Sequence, residues 1–178
     1  MIVIMSNAIS DLFASGRVVS FQSNQSVFQI GDRVQNMYFV TDGGVDLVRY
    51  SKRGAPLILA RVGQGGVLAE ASAYSSRYHC HAVTSAPSQP RLLPVSAFRD
   101  RLNGPPDIAR TWAAKLAQEL QTARMQSEIR SLKTVAERLD AWLGENKTLP
   151  PKGQMQNLAY FLGVSREALY RELARRRG

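Results

Sequence analysis

The chain has 178 residues with a hydrophobic fraction of 44%, enough for one large domain or two small ones around a real core. Its 23 Lys and Arg against 14 Asp and Glu give a net charge of +9 and a pI near 10.2, which point to a polyanionic partner, nucleic acid first. One cysteine, Cys80, excludes an internal disulfide and a cysteine-held iron–sulfur centre and fits a reducing cytoplasm. No run approaches the ~20 apolar residues of a membrane span, and the leading MIVIM, with no basic segment before it, is too short for a signal peptide.

Residues 8–15 suit a short helix with Ile9, Leu12 and Phe13 on one side. From Gly16 the period changes. Short β-rich pieces follow at Val18–Phe21, Ser26–Ile30, Met37–Thr41, Val45–Tyr50, Leu57–Val62, His79–Thr84 and Arg91–Val95, separated by glycines and polar turns. Many short strands with turn signals between them indicate an all-β barrel or sandwich. Asp42-Gly43-Gly44 reads as a tight turn, and Pro87 and Pro90 limit pairing where they stand.

Pro105-Pro106 marks a boundary, because proline suits the first turn of a helix. Asp107–Leu132 then has no internal proline or glycine, and Ile108, Trp112, Leu116, Leu120, Ala123, Ile129 and Leu132 recur mostly every three or four residues. A helix of that length, roughly 39 Å at 1.5 Å per residue, suggests a coiled-coil dimer seam, which polar Gln126 and Ser127 weaken at its middle. Thr134-Val135-Ala136-Glu137 fits a capping box, so a new helix starts there, with Val135, Leu139, Trp142 and Leu143 inward; GENKTLPPKG is a loop.

The end of the chain carries the most information. In QMQNLAYFLGVSREALYRELARRR, Leu158, Ala159, Phe161 and Leu162 make one apolar helix side. Gly163 ends that helix, Val164 is a buried turn residue, and Ser165 caps a second helix whose inner side is Ala168, Leu169 and Leu173. This is the layout of a helix-turn-helix, whose second helix offers its N-terminal residues to DNA base edges. The basic excess concentrates around it, with 6 Lys and Arg against 2 Asp and Glu in residues 152–178.

A β-barrel, a long helix and a helix-turn-helix in that order resemble the CRP/FNR family of bacterial transcription regulators. Three stretches sharpen the likeness: SVFQIGDRVQNMYFVTDGGVDLVRY is similar to the family's early barrel, VLAEASAYSSRYHCHAV to the segment that holds cyclic nucleotide phosphate in some members, and GVSREALYREL to the S-R-E-x-x-x-R recognition helix of the cyclic-AMP receptor protein. The resemblance implies an α+β chain with a double-stranded β-helix (jelly-roll) sensor at 1–104, a dimerisation helix at 105–133 and a helix-turn-helix at 134–178. It implies a dimeric, cytoplasmic, sequence-specific DNA-binding regulator rather than an enzyme. Double-stranded DNA and a second copy are the expected partners, with RNA polymerase and an unknown small-molecule effector as further candidates. Arg166, Glu167 and Arg171 carry over as base readers, and the chemistry fits: Arg can donate twice to guanine and Glu can accept from cytosine N4. Ser165 stands at the start of that helix, Gln154 matches a phosphate contact, and Arg175, Arg176 and Arg177 form a cationic tail.

The departures are equally specific. Glu70 matches the family acid that binds ribose, but Cys80-His81 stand where an Arg-Ser pair grips the cyclic phosphate. The three remain the candidate ligand residues, and cyclic AMP is not the expected effector, since its phosphate lacks a bidentate partner. The family's β-hairpin wing has no counterpart before Gly178. His79 and His81 on one strand face give two metal ligands, short of a zinc set, so no metal or other cofactor is expected. The rival reading from another class is a ligand-binding or protein-interaction module of this fold that does not bind DNA.

Overall fold

The computed structural model describes residues 8–68 and 70–177. They fall into two compact units, Met1–Leu116 and Ala117–Gly178.

In the first unit residues 8–12 are helical. Eight strands follow: β1 Arg17–Val18, β2 Ser26–Phe28, β3 Asn36–Asp42, β4 Gly44–Tyr50, β5 Pro56–Gly63, β6 Val67–Leu68, β7 His81–Thr84 and β8 Gln89–Pro94. They make two four-stranded sheets in the orders β1-β8-β3-β6 and β2-β7-β4-β5, with every pairing antiparallel. The first and last strands pair, Arg17 opposite Leu92, as a jelly roll requires. Alternation builds the interior where one face is solvated: β7 buries Ala82 and Thr84 and leaves His81 and Val83 half-exposed. β3, flanked by β8 and β6, buries Met37 to Val40 without a break. Both sheets feed one core, Tyr38, Phe39, Leu68 and Leu93 from one and Phe28, Val45, Leu47 and Ala82 from the other.

The pairings add three details to the sequence reading and correct one expectation. The pair Val67–Leu68 is a strand, defined by its partner Phe39–Tyr38 rather than by any local pattern. Asp42-Gly43-Gly44 does turn the chain, but it leads from one sheet into the other instead of closing a hairpin. Gly43 takes φ 87 there, and a Cβ on it would collide with the Pro87 carbonyl and Ser88. Pro90 lies within β8, between β1 and β3; its carbonyl still accepts from the Val19 N–H at 3.0 Å, and the ladder shifts register between Val40 and Asp42 beside it. His79 precedes β7 and shares no strand face with His81.

A helix absent from the sequence reading, α1 Val95–Leu102, closes the barrel. Phe98 and Leu102 are buried, and Phe98 meets Trp112 edge-on with centroids 5.0 Å apart. Burial of a side chain like Phe98 contributes roughly 1.5–3 kcal/mol. Arg101 binds the chain start by donating to the Asp11 and Leu12 carbonyls, both at 2.9 Å.

The long helix, α2 Pro106–Ser131, begins at the proline and runs through the division between units. Ile108, Trp112 and Leu116 belong to the barrel core, Met125 and Ile129 to a second core, and Leu120 between them is 52% exposed. The second unit continues with α3 Val135–Asn146, a short 3-10 turn Lys152–Gln154, α4 Met155–Leu162 and α5 Arg166–Arg175. The capping box at α3 forms as the sequence requires: Thr134 Oγ1 accepts from Glu137 N at 3.1 Å and Glu137 accepts from Thr134 N at 2.8 Å. Leu139, Leu158, Leu162, Leu169 and Leu173 form the second core.

Candidate nucleic-acid interface

The turn between α4 and α5 is built from local chemistry. Gly163 ends α4 at φ 67; its N–H donates to Tyr160 O and that of Val164 to Ala159 O, each at 3.0 Å, a Schellman pattern that needs the left-handed residue. Val164 is half-buried rather than buried, packed on the second core. Ser165 then caps α5, its hydroxyl accepting from Ala168 N at 3.1 Å.

Two arginines and a glutamine satisfy the remaining α4 carbonyls. Arg130 donates to Tyr160 O at 2.5 Å and Phe161 O at 3.2 Å, with its guanidinium 5.2 Å from the Tyr160 ring centroid. Gln126 reaches Phe161 O at 3.3 Å. Arg138 reaches Leu162 O at 3.1 Å and Gly163 O at 3.3 Å. No sequence signal marked these residues, since their partners lie 24 to 35 positions away. They explain why Gln126 is polar within an apolar stripe.

α5 turns Leu169 and Leu173 inward and leaves Arg166, Glu167, Tyr170 and Arg171 exposed. Helical spacing therefore brings the three sequence-predicted readers to one outward surface with Ser165 at its start. Glu167 is drawn back: its own amide and then the Ser165 hydroxyl hold the carboxyl below its usual range, with Arg166 and Arg171 adding to the shift. Tyr170, to which the sequence assigns no role, lies beside Arg166, whose guanidinium carbon is 5.6 Å from the ring centroid. Gln154 is exposed at the start of α4, its side chain making no capping bond.

The cationic tail is not uniform. Arg176 bonds Glu172 at 2.7 Å, Asp140 at 2.5 Å and the Ala136 carbonyl at 3.1 Å, fastening α5 to α3. Arg175 also grips Glu172, at 2.7 and 2.9 Å, yet its side chain stays 67% exposed. Arg177 is exposed. Between the two arginines the Glu172 carboxyl is pulled down to about 2.

In the barrel, Glu70 opens a 3-10 turn and Cys80 is 1% exposed. Burial pushes the Cys80 thiol up, the Glu70 carboxylate pushes it further, and the Arg49 guanidinium opposes both. His81 lies at the start of β7, Nδ1 3.5 Å from Ile30 N and its ring edge-on to Tyr50 with centroids 5.2 Å apart. Cys80 and Ala82 are buried while His81 is not, so the neighbours Cys80 and His81 face opposite ways. His79 Nδ1 meets the Ser72 hydroxyl at 3.0 Å. Among the described residues no three His, Cys, Asp or Glu gather at metal-binding range, and no helix is long and apolar enough to cross a membrane.

The described elements run in the order barrel, long helix, paired terminal helices. Residues 18–104 match the cyclic nucleotide-binding domain family. A global nitrogen regulator from Nostoc sp. is 25% identical over 153 residues, covering 80% of this chain and 69% of that protein. Among solved structures, FixK2 from Bradyrhizobium japonicum is similar with a TM-score of 0.70 at 20% identity, over 90% of this chain and 83% of its own. The c-di-GMP responsive global regulator CLP of Xanthomonas campestris gives 0.67 at 18%, over 97% and 91%. The Thermus thermophilus catabolite activator protein gives 0.57 at 23%, over 94% and 81%. At these identities the solved structures speak for the fold.

Proposed function

We propose that this chain is a dimeric, cytoplasmic, sequence-specific DNA-binding transcription regulator that does not respond to cyclic AMP. The observation that carries the reading is the outward surface of α5, where Arg166 and Arg171 stand exposed on a helix fixed by Leu169 and Leu173 behind it. Those guanidiniums can each donate twice to guanine O6 and N7. Glu167 can accept from cytosine N4 once it leaves its own helix start, and Gln154 and Arg177 supply phosphate contacts. Base contacts specify and phosphate contacts position, so the two groups have separable effects.

The dimer follows from α2. From Ala113 to Glu128 no residue is buried, although Ala113, Leu116, Leu120 and Ala123 recur at intervals of three and four. Leu116 already packs partly on the barrel, whereas Leu120 is exposed. A second copy of α2 covers such a row in a coiled coil. Against cyclic AMP stand a buried thiol beside an acid and a histidine on the opposite face, where a phosphate needs a donor pair.

The experiment is anisotropy titration of the chain against a palindromic duplex recovered by selection and a scrambled duplex. Preference for the palindrome is expected. Leu120→Lys is expected to halve the sedimenting mass from about twice 19.7 kDa and weaken palindrome binding, because one half-site alone binds poorly. Equal affinity for both duplexes sinks the proposal.

A further inference from the structure

Arg166 occupies an electrostatically poor place. It is the first residue of α5, where the helix dipole disfavours a cation, and its long side chain is exposed. An exposed arginine samples many rotamers, and fixing one on a base edge carries an entropic cost. One turn on, Tyr170 offsets both penalties. Its ring lies within cation–π range of the Arg166 guanidinium, at the i,i+4 spacing that lets two helix side chains meet. A guanidinium on an aromatic face interacts through its own face, so its N–H edge stays open for a bidentate acceptor.

Tyr170 lines an apolar cleft of about 420 Å³ together with Leu149, Pro150, Met155 and Leu173. Met155 and Leu173 belong to the second core, and Leu149 comes from the loop before α4. The tyrosine thus stands between this cleft and the Arg166 guanidinium, 40% exposed.

We infer that Tyr170 is a specificity-determining positioning residue: its ring holds the Arg166 guanidinium in a single orientation for the base pair it reads. This rests on the proposed DNA reading. The hydroxyl is not part of the device, and neither is Arg171.

The test is selection from a randomised duplex library with the full chain, comparing wild type, Arg166→Ala, Arg171→Ala, Tyr170→Phe and Tyr170→Leu. Leucine keeps apolar bulk against the cleft and suits a helix, and the thermal midpoint of each variant is measured alongside. Arg166→Ala and Arg171→Ala identify the base pair each arginine reads. Tyr170→Phe is expected to match wild type. Tyr170→Leu is expected to lower discrimination about two- to fivefold at the Arg166 base pair alone, the loss of an exposed cation–π contact. Full discrimination there in Tyr170→Leu overturns the inference, as does an equal loss at every position or a loss in Tyr170→Phe. If Arg166→Ala alone alters no position, the inference falls while the DNA reading stands on Arg171; if neither arginine variant alters any position, both fall.

Discussion

Residue type did not distinguish the three arginines at the end of the chain; their partners do. Arg176 is bound to Glu172, Asp140 and Ala136, so it joins two helices, while Arg177 is exposed. Arg176→Ala is therefore expected to lower the thermal midpoint and leave the salt dependence of DNA binding nearly unchanged. Arg177→Ala is expected to do the reverse, reducing the salt slope by about one phosphate per subunit. The same network has a pH signature. Glu172 drops from an ordinary 4.5 to about 2 through its bonds first with Arg175 and then with Arg176. A carboxyl depressed on folding stabilises above its unfolded value and loses that contribution as pH falls through the folded one. The stability gap between wild type and Glu172→Gln is expected to be constant above about pH 4.5 and to close towards pH 2. Denaturation at stepped pH measures it, and a gap that persists at pH 2 refutes this account of the pair. Asp140 and Ala136 lie 36 and 40 residues from Arg176, beyond any sequence pattern, which is why a cationic tail was all that could be read there.

Among the elements, those set by local chemistry were legible and those set by distant partners were not. Gly163 and Ser165 announce the turn between α4 and α5 because a left-handed residue and an N-cap are local demands. Gly163→Ala is expected to cost about 1–2 kcal/mol in urea unfolding, because alanine resists that backbone conformation. A new Cβ would also stand 3.1 Å from Arg130 Nε, pressing on the contact that holds the α4 carbonyls. An unchanged midpoint speaks against the strained-turn account. The 26-residue helix was legible from its length, its spacing and the proline at its start. By contrast α1 buries only Phe98 and Leu102 in eight residues, too few to set a period against the strand before it. β6 has two residues and exists through its pairing with β3. The Asp42-Gly43-Gly44 turn was visible, but whether it joins strands of one sheet or two depends on pairings elsewhere in the barrel.

For the whole molecule, the barrel and the terminal helices carry different kinds of information. Residues 18–104 match the cyclic nucleotide-binding domain family, yet Cys80 is buried beside Glu70 where the resemblance expects an arginine, and His81 is half-exposed. Calorimetry with cyclic AMP and cyclic GMP is expected to show no binding at physiological concentrations, and a micromolar dissociation constant for either overturns that expectation. The terminal helices carry the central claim, that α5 reads DNA sequence through Arg166, Glu167 and Arg171. The most direct measurement is selection from a randomised duplex library at two salt concentrations, with wild type beside the three alanine variants. Wild type is expected to recover a two-fold symmetric site with half-sites roughly 34 Å apart. Arg171→Ala is expected to lose about 1–3 kcal/mol on that site and its preference at one base pair per half-site. Sequence preferences unchanged in all three variants would contradict the claim.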